Sequence, residues 1–409
     1  MLLIKNCIVV FEKNEKKVDV KIRDGVIEEI ADAIGIDKSY ELLDAKGSYL
    51  LPGIVDLNVR VENDALNLPN LEKLYESTKK GGVTSFVLSP RFLPLIDNQT
   101  FMHLLSSELT LKYPSLIFSI KALIDKDLTK LNNISTLTKY NINIIQENSA
   151  INSNLTRRIL QYAKMNDSLF FTFCENPDLN DGGVMHDGEV SFKLGLSGIS
   201  KVGEISEVAK ILQMSLFYEV KTHFQALSTD ESLTLISDAK ERFSHLSSEV
   251  SIHHLLLDDL SCDDFNTYSK LNPPLRSCEE KNLLLQALKD GKIDTITSLH
   301  SPKSVLYKDV AFKDAMFGIC SIEDFMSLCY TFLVKTGHIS LWELMEFISK
   351  NPAKILGLEN VGEVKQGYRA NLMLFNPNSE KKIEKLHSPY VGKSVFGDVW
   401  RTILLPKEH

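Results

Sequence analysis

Four histidines, His223, His253, His254 and His300, stand near the ends of apolar runs of strand length, and Glu175 and Asp56 are carboxylates that could join them. Imidazole and carboxylate are the donors that suit zinc, and a metal-bound hydroxide is one route to hydrolysis at neutral pH. A site assembled from these residues would draw on three separate strands. His253 and His254 are adjacent, and adjacent side chains in a strand leave by opposite faces, so that pair would not chelate as an HxH pair does. The alternative is that these histidines satisfy hydrogen bonds or pack.

Other chemistry finds less support. Gly195-Leu196-Ser197-Gly198 lacks the GxSxG spacing of a nucleophile elbow. Gly81-Gly82-Val83-Thr84 lacks the lysine and the spacing of a phosphate loop. Cys174 ends an apolar run and reads as a buried structural thiol.

The elements that would position these residues follow from the pattern of apolar runs. Residues 1–48 alternate short β-rich runs, such as Leu2 to Phe11 and Val18 to Ile22, with turn signals at Asp24-Gly25 and Lys46-Gly47. From Leu50 the texture changes to eight apolar runs: Gly53 to Val59, Ser85 to Ser89, Leu116 to Ile124, Ile142 to Gln146, Leu169 to Glu175, Leu216 to Thr222, Glu249 to His254 and Thr295 to Leu299. Helical spacing separates them, as in Leu71, Leu74, Tyr75 and Thr78, or Leu283, Leu284, Ala287 and Leu288. That alternation predicts an α/β fold, a (β/α)8 TIM-type barrel over residues 50–358. After a helix near Leu341 to Ser349, β-like segments return at Ala370 to Phe375 and Lys393 to Leu405. Residues 1–49 and 359–409 are therefore expected to form one small composite β-sandwich domain from both termini.

Composition bounds the partners. The chain has 409 residues, with 46 basic against 54 acidic side chains and no basic block to follow a phosphate backbone, which argues against nucleic acid. Six cysteines without CxxC spacing fit a reducing compartment, and no apolar run approaches a membrane span. A soluble, cytoplasmic protein is expected.

Several motifs then carry a resemblance. Leu50-Leu51-Pro52-Gly53-Ile54-Val55-Asp56, Gly81-Gly82-Val83-Thr84, Cys174-Glu175, Gly182-Gly183-Val184-Met185-His186-Asp187-Gly188, His253-His254-Leu255, and Lys270-Leu271-Asn272-Pro273-Pro274-Leu275-Arg276 occur in this order. Over nearly the whole chain this resembles the amidohydrolase superfamily, and within it the dihydroorotases. The Lys270 to Arg276 segment, similar to KxNPPLR, is the strongest signal because it separates dihydroorotases from hydantoinases.

The resemblance implies a zinc-dependent cyclic-amide hydrolase, yet the positions it assigns to metal and catalysis are changed. The HxH pair falls on Asn58 and Arg60, the acidic position after strand four on Glu147, the histidine before Cys-Glu on Phe173, and the second histidine of HxxHxST on Ala226, ahead of Ser228-Thr229. The aspartate of TDHAPH becomes Leu299, with His300 and Pro302 kept and Lys303 in place of the last histidine. Phenylalanine, alanine and leucine carry no donor, and arginine brings a positive charge where a dication would sit. Glu62 replaces the arginine that follows HxH, and Pro90-Arg91-Phe92-Leu93-Pro94 replaces PNTNP. Arg60 either pairs with Glu147, Glu62 or Glu175 or points to solvent.

The expectation is a non-catalytic dihydroorotase-like protein of pyrimidine biosynthesis, without the family zinc. In some bacteria inactive dihydroorotase-like chains hold aspartate carbamoyltransferase, so that enzyme, or a second copy of this chain, is the expected partner. Two other readings stand beside it. One is a divergent hydrolase with a rebuilt metal site. The other is a pyrimidine-intermediate binding protein whose pocket is lined by Arg60, Asn272, His300 and Lys303.

Overall fold

This computed structural model describes the chain except residues 13, 38, 98–99, 101–102, 104–108, 110–111, 125–128, 141, 385–387 and 405–409. Leu405, the expected end of the last strand, lies outside the described residues.

Eight parallel strands form the barrel. The first two, Ile54–Val59 and Val83–Leu88, are buried at every position. Burial of both faces is what a helix-covered parallel sheet imposes, and the polar side chains these strands carry, Asp56, Asn58, Thr84 and Ser85, are buried with the rest. The third is split into Leu116–Phe118 and Ile120–Lys121, which pair with strands two and four respectively. Strands four to eight are Ile144–Asn148, Leu169–Phe173, Thr222–Gln225, Leu246–Ser251 and Thr295–Thr297, paired in that order. The ring closes where Val59 bridges His300 and the Arg60 N–H donates to the His300 carbonyl at 2.8 Å.

Local sequence sets where the helices begin and end. In the helix Leu68–Gly81 the Asn67 side chain accepts from the Asn70 N–H, and Pro69 occupies the first turn, where its missing N–H costs nothing. Leu71, Leu74 and Thr78 face inward, and Gly82 ends the helix at φ 80°. A Cβ at Gly82 would lie 2.5 Å from the Met373 sulfur, so both conformation and space demand glycine there. The helical stretch Leu341–Ile355 starts with a reciprocal Ser340–Glu343 cap and outlasts the expected end at Ser349.

Two strands differ from expectation. The run Leu216 to Thr222 holds the end of the helix Lys201–Tyr218 and the turn after it, and strand six begins only at Thr222. A short apolar run fits a buried helix and a strand equally, and the left-handed Glu219 at φ 52° marks the true boundary. Strand seven lies earlier than Glu249 to His254. Ser251 caps a short helix, Ile252–Leu256, so His253 and His254 are helical and do not lie in a strand.

Both termini build one seven-stranded sheet, in the order Ser394–Ile403, Leu372–Lys382, Tyr49–Pro52, Leu2–Val10, Glu15–Arg23 and Val26–Ala31, with Glu41–Asp44 also beside Leu2–Val10. One face holds its own core of Ile4, Val9, Val20, Ile27 and Leu374. Met373, Phe375 and Val395 join the main core instead, fastening the sheet to the barrel.

Candidate functional site at the barrel mouth

The C-terminal ends of barrel strands are where ligands and catalysts collect in this fold. Here Glu249 is fully buried on strand seven. Its Oε1 accepts from Asn58 Nδ2 at 2.6 Å and from the Ala226 N–H at 2.9 Å, while Oε2 meets His223 Nε2 at 3.0 Å. His223 Nδ1 in turn lies 2.8 Å from the Ser247 hydroxyl. Donors thus surround the carboxylate, as burial demands. Asp56, also fully buried, accepts from the Asn58 and Ser298 N–H groups at 3.2 and 3.3 Å. Burial nevertheless pushes its carboxyl up to about 7, with Glu249 adding to the effect.

Three of the changed positions meet. Phe173, Ala226 and Leu299, from the ends of strands five, six and eight, form a separate apolar cluster and are 5%, 1% and 6% exposed. Ala226 and Leu299 hold φ of 50° and 47°. Left-handed backbone costs an L-residue about 1–2 kcal/mol, so these strand ends keep a course that their side chains do not favour.

The remaining histidines are used as structural hydrogen-bonding groups. His253 lies between the Tyr390 hydroxyl at 2.8 Å and the Ser298 carbonyl at 3.0 Å. His254 lies between the Ser251 hydroxyl at 2.7 Å and the Pro273 carbonyl at 3.1 Å. Burial lowers them to about 3 and about 4, so both rings are neutral, with Nε2 protonated to serve the carbonyl. His300 Nδ1 accepts from the Ser321 and Ile322 N–H groups, each at 3.2 Å. Glu147 is engaged by Lys121 at 2.8 Å and by the Leu123 N–H at 3.0 Å. Among the described residues no three His, Cys, Asp or Glu side chains converge as a metal would require. The residues present do not fit the zinc centre that the resemblance implies.

Above the apolar cluster opens a cleft of about 240 Å³, and Arg60, Asn272 and Lys303 line it. His300, expected at the same mouth, is not among its lining residues and is turned into the barrel wall. Asp64, Arg91 and Ser301 also line it. Sequence reasoning did not select Arg91 for the pocket, although its place in the segment replacing PNTNP was the available signal. Asp64 had none, being 239 residues from the Lys303 ammonium that it meets at 2.5 Å.

Arg60 makes none of the expected ion pairs. Glu62 is taken by Lys73 at 2.6 Å, Glu147 by Lys121, and Glu175 by the amides of Asn148 and Asn272 at 2.8 and 3.2 Å. Arg60 is half-buried in the wall of the cleft at the barrel mouth. Burial, reinforced by repulsion from Arg91, brings it down to about 10, while Asp64 and Glu175 oppose the shift through space. Arg91 lies 5.0 Å from the centre of the Phe173 ring, and its Nη2 is buried without a hydrogen-bond partner.

The Lys270 to Arg276 segment serves largely to hold this frame. Lys270 donates to the Phe312 and Lys313 carbonyls at 2.8 and 2.9 Å, and Arg276 to the Ser228 hydroxyl and the Ile199 carbonyl at 3.0 and 2.8 Å.

Comparison with known proteins agrees with this frame. Residues 185–399 match the amidohydrolase family. The chain is 33% identical to the dihydroorotase of Ruminiclostridium cellulolyticum, covering 98% of this chain and 97% of that protein. It is 31% identical to the dihydroorotase of Acetivibrio thermocellus, at 98% and 97% coverage. Among solved structures, the L-hydantoinase of Arthrobacter aurescens superposes with a TM-score of 0.85 at 20% identity, over 100% of this chain and 96% of that one. A D-hydantoinase gives 0.82, also at 20% identity and the same coverage. No helix among the described residues is long and apolar enough to cross a membrane.

Proposed function

The chain belongs to the amidohydrolase family, and from that premise we propose that it is a non-catalytic, cytosolic dihydroorotase-like protein of pyrimidine biosynthesis, acting as a structural partner of aspartate carbamoyltransferase. One observation carries the reading. Phe173, Ala226 and Leu299 fill the mouth with apolar side chains where hydrolysis of a cyclic amide calls for a metal-bound hydroxide and a proton acceptor. Around that cluster the frame is kept, including the buried Lys270 and Arg276. A frame maintained around such a centre is consistent with work done through surfaces. The choice of partner rests on analogy with inactive dihydroorotase-like chains, since fold alone does not assign function.

Metal analysis of the purified chain, joined to a dihydroorotase assay with and without chelator, tests the first half. The expected result is no bound zinc and no turnover. Turnover abolished by chelation would establish the rival reading, a divergent hydrolase with a rebuilt metal site. Co-expression with aspartate carbamoyltransferase tests the second half. A stable mixed complex is expected, and a chain that ignores the enzyme at micromolar concentration, alone or as a self-associated oligomer, would sink it.

The cleft lined by Arg60, Asn272 and Lys303 favours a second reading, in which the mouth binds a pyrimidine intermediate. Thermal stabilisation by such compounds would support it, because a ligand that binds only the folded state raises stability by mass action.

A further inference from the structure

We propose that the barrel mouth binds an organic phosphate monoester, its dianionic head held between the guanidinium groups of Arg60 and Arg91. Three cations converge on one cleft, since Arg60 and Arg91 repel each other and Lys303 feels Arg60. Three carboxylates, Asp64, Glu147 and Glu175, stand near them. Asp64 pairs with Lys303 through Oδ2 at 2.5 Å while its Oδ1 is buried without a hydrogen-bond partner, Glu147 is engaged by Lys121, and Glu175 is held by the amides of Asn148 and Asn272. Among the described residues neither guanidinium has an ion-pair partner. Half-buried like charges side by side in that state are unfavourable, and an anion would relieve the repulsion for both at once.

Donor count points the same way. Arg91 Nη2 and the Ser301 hydroxyl are both buried without a hydrogen-bond partner beside the cleft. A phosphate presents about two negative charges and three acceptor oxygens at one point, which suits donors crowded together better than two separated carboxylates do. The cleft of about 240 Å³ also has an apolar wall at Leu271, Met316 and Phe317, which gives the organic part a place to lie. The proposal rests on the reading that no metal occupies this mouth, so binding is measured on chelator-treated protein, and zinc content is measured separately.

The experiment is calorimetric titration of the full chain with phenyl phosphate, inorganic phosphate and succinate at matched ionic strength. Phenyl phosphate should bind saturably, more tightly than inorganic phosphate, and succinate least. Arg60→Gln and Arg91→Gln should each weaken phenyl phosphate by about tenfold or more, whereas exposed Arg157→Gln should leave it unchanged. Arg91→Lys keeps the charge and loses the fork, so it should fold and still bind more weakly. Affinity should fall as pH drops through about 6, where the phosphate gains a proton. No saturable heat with phenyl phosphate, tighter binding of succinate, or equal affinity in the Arg60 and Arg91 variants would overturn the proposal. If instead zinc is found and phosphate still binds after chelation, the functional reading fails and this one stands.

Discussion

Asn58, on the first barrel strand, donates from Nδ2 to Glu249 Oε1 on the seventh at 2.6 Å, joining residues 191 positions apart. A residue at a changed ligand position thus neutralises nothing but satisfies a buried carboxylate. Asn58→Leu would leave Glu249 Oε1 with the Ala226 N–H alone. A lost hydrogen bond to a buried charged acceptor costs about 1.5–3 kcal/mol. The urea midpoint should fall accordingly, and an unchanged midpoint would show that the bond is energetically idle.

Phe173 fills the mouth where the family resemblance places a histidine. Phe173→Ala should cost about 3–5 kcal/mol, the usual range for emptying an aromatic site. It also removes the ring beneath Arg91. Phe173→His restores one donor type without partners, so it should destabilise the chain and bring no stoichiometric zinc. Zinc recovered with the Phe173→His variant would mean that the neighbouring donors are closer to a metal geometry than their hydrogen bonds indicate.

The barrel was legible in the sequence because short, largely apolar strands such as Val83–Leu88 are separated by helical spacing. Strand six was misplaced because Leu212, Leu216 and the residues around them serve a helix that ends at Tyr218, and a turn at left-handed Glu219 followed by Val220 and Lys221 separates the two elements. The changed positions were legible as single residues in motifs. That Phe173, Ala226 and Leu299 touch one another was not, since their contact depends on barrel closure. Likewise Asp64 and Arg91 reach the cleft from loops after strands one and two, which no local periodicity predicts.

Acid stability should carry the signature of the buried histidines. His253 and His254 fall to about 3 and about 4 in the folded chain, against 6.5 when free. Between pH 6.5 and 4 the unfolded state binds more protons at these rings, so their contribution is full above 6.5 and is lost as pH falls. Asp56, raised from 3.8 to about 7, has the opposite sign and gains stability over nearly the same window as pH falls. Half-buried His186 and buried Asp259, shifted to about 4 and about 6, oppose each other and largely offset. Two histidines against one aspartate predict a net loss toward acid. His253→Gln combined with His254→Gln should flatten or reverse that slope in melts from pH 7 to 4. An unaltered slope would place the protons elsewhere.

Alkaline stability turns on Lys270 and Lys308, which clasp two loops beside the cleft. Lys308 Nζ donates to the Thr267 and Lys270 carbonyls at 3.0 and 3.3 Å, while Lys270 reaches back to the Phe312 and Lys313 carbonyls. Among the described residues no carboxylate bonds to either ammonium, and burial brings them down to about 7 and about 8 from 10.5. In the window from about 7 upward the unfolded chain holds protons that the folded one releases, so stability should rise with pH there. The buried thiols Cys7 and Cys262, raised from 9.0 to about 12, have the opposite sign but act only above pH 9. Melting temperature should therefore climb between pH 7 and 9. Lys308→Met gives up two hydrogen bonds to carbonyls and removes a costly buried charge. Its melting curve should be flatter over that window and closest to the parent near pH 7, where the charge costs the parent most. A variant that tracks the parent at every pH would show that Lys308 stays protonated in the folded chain.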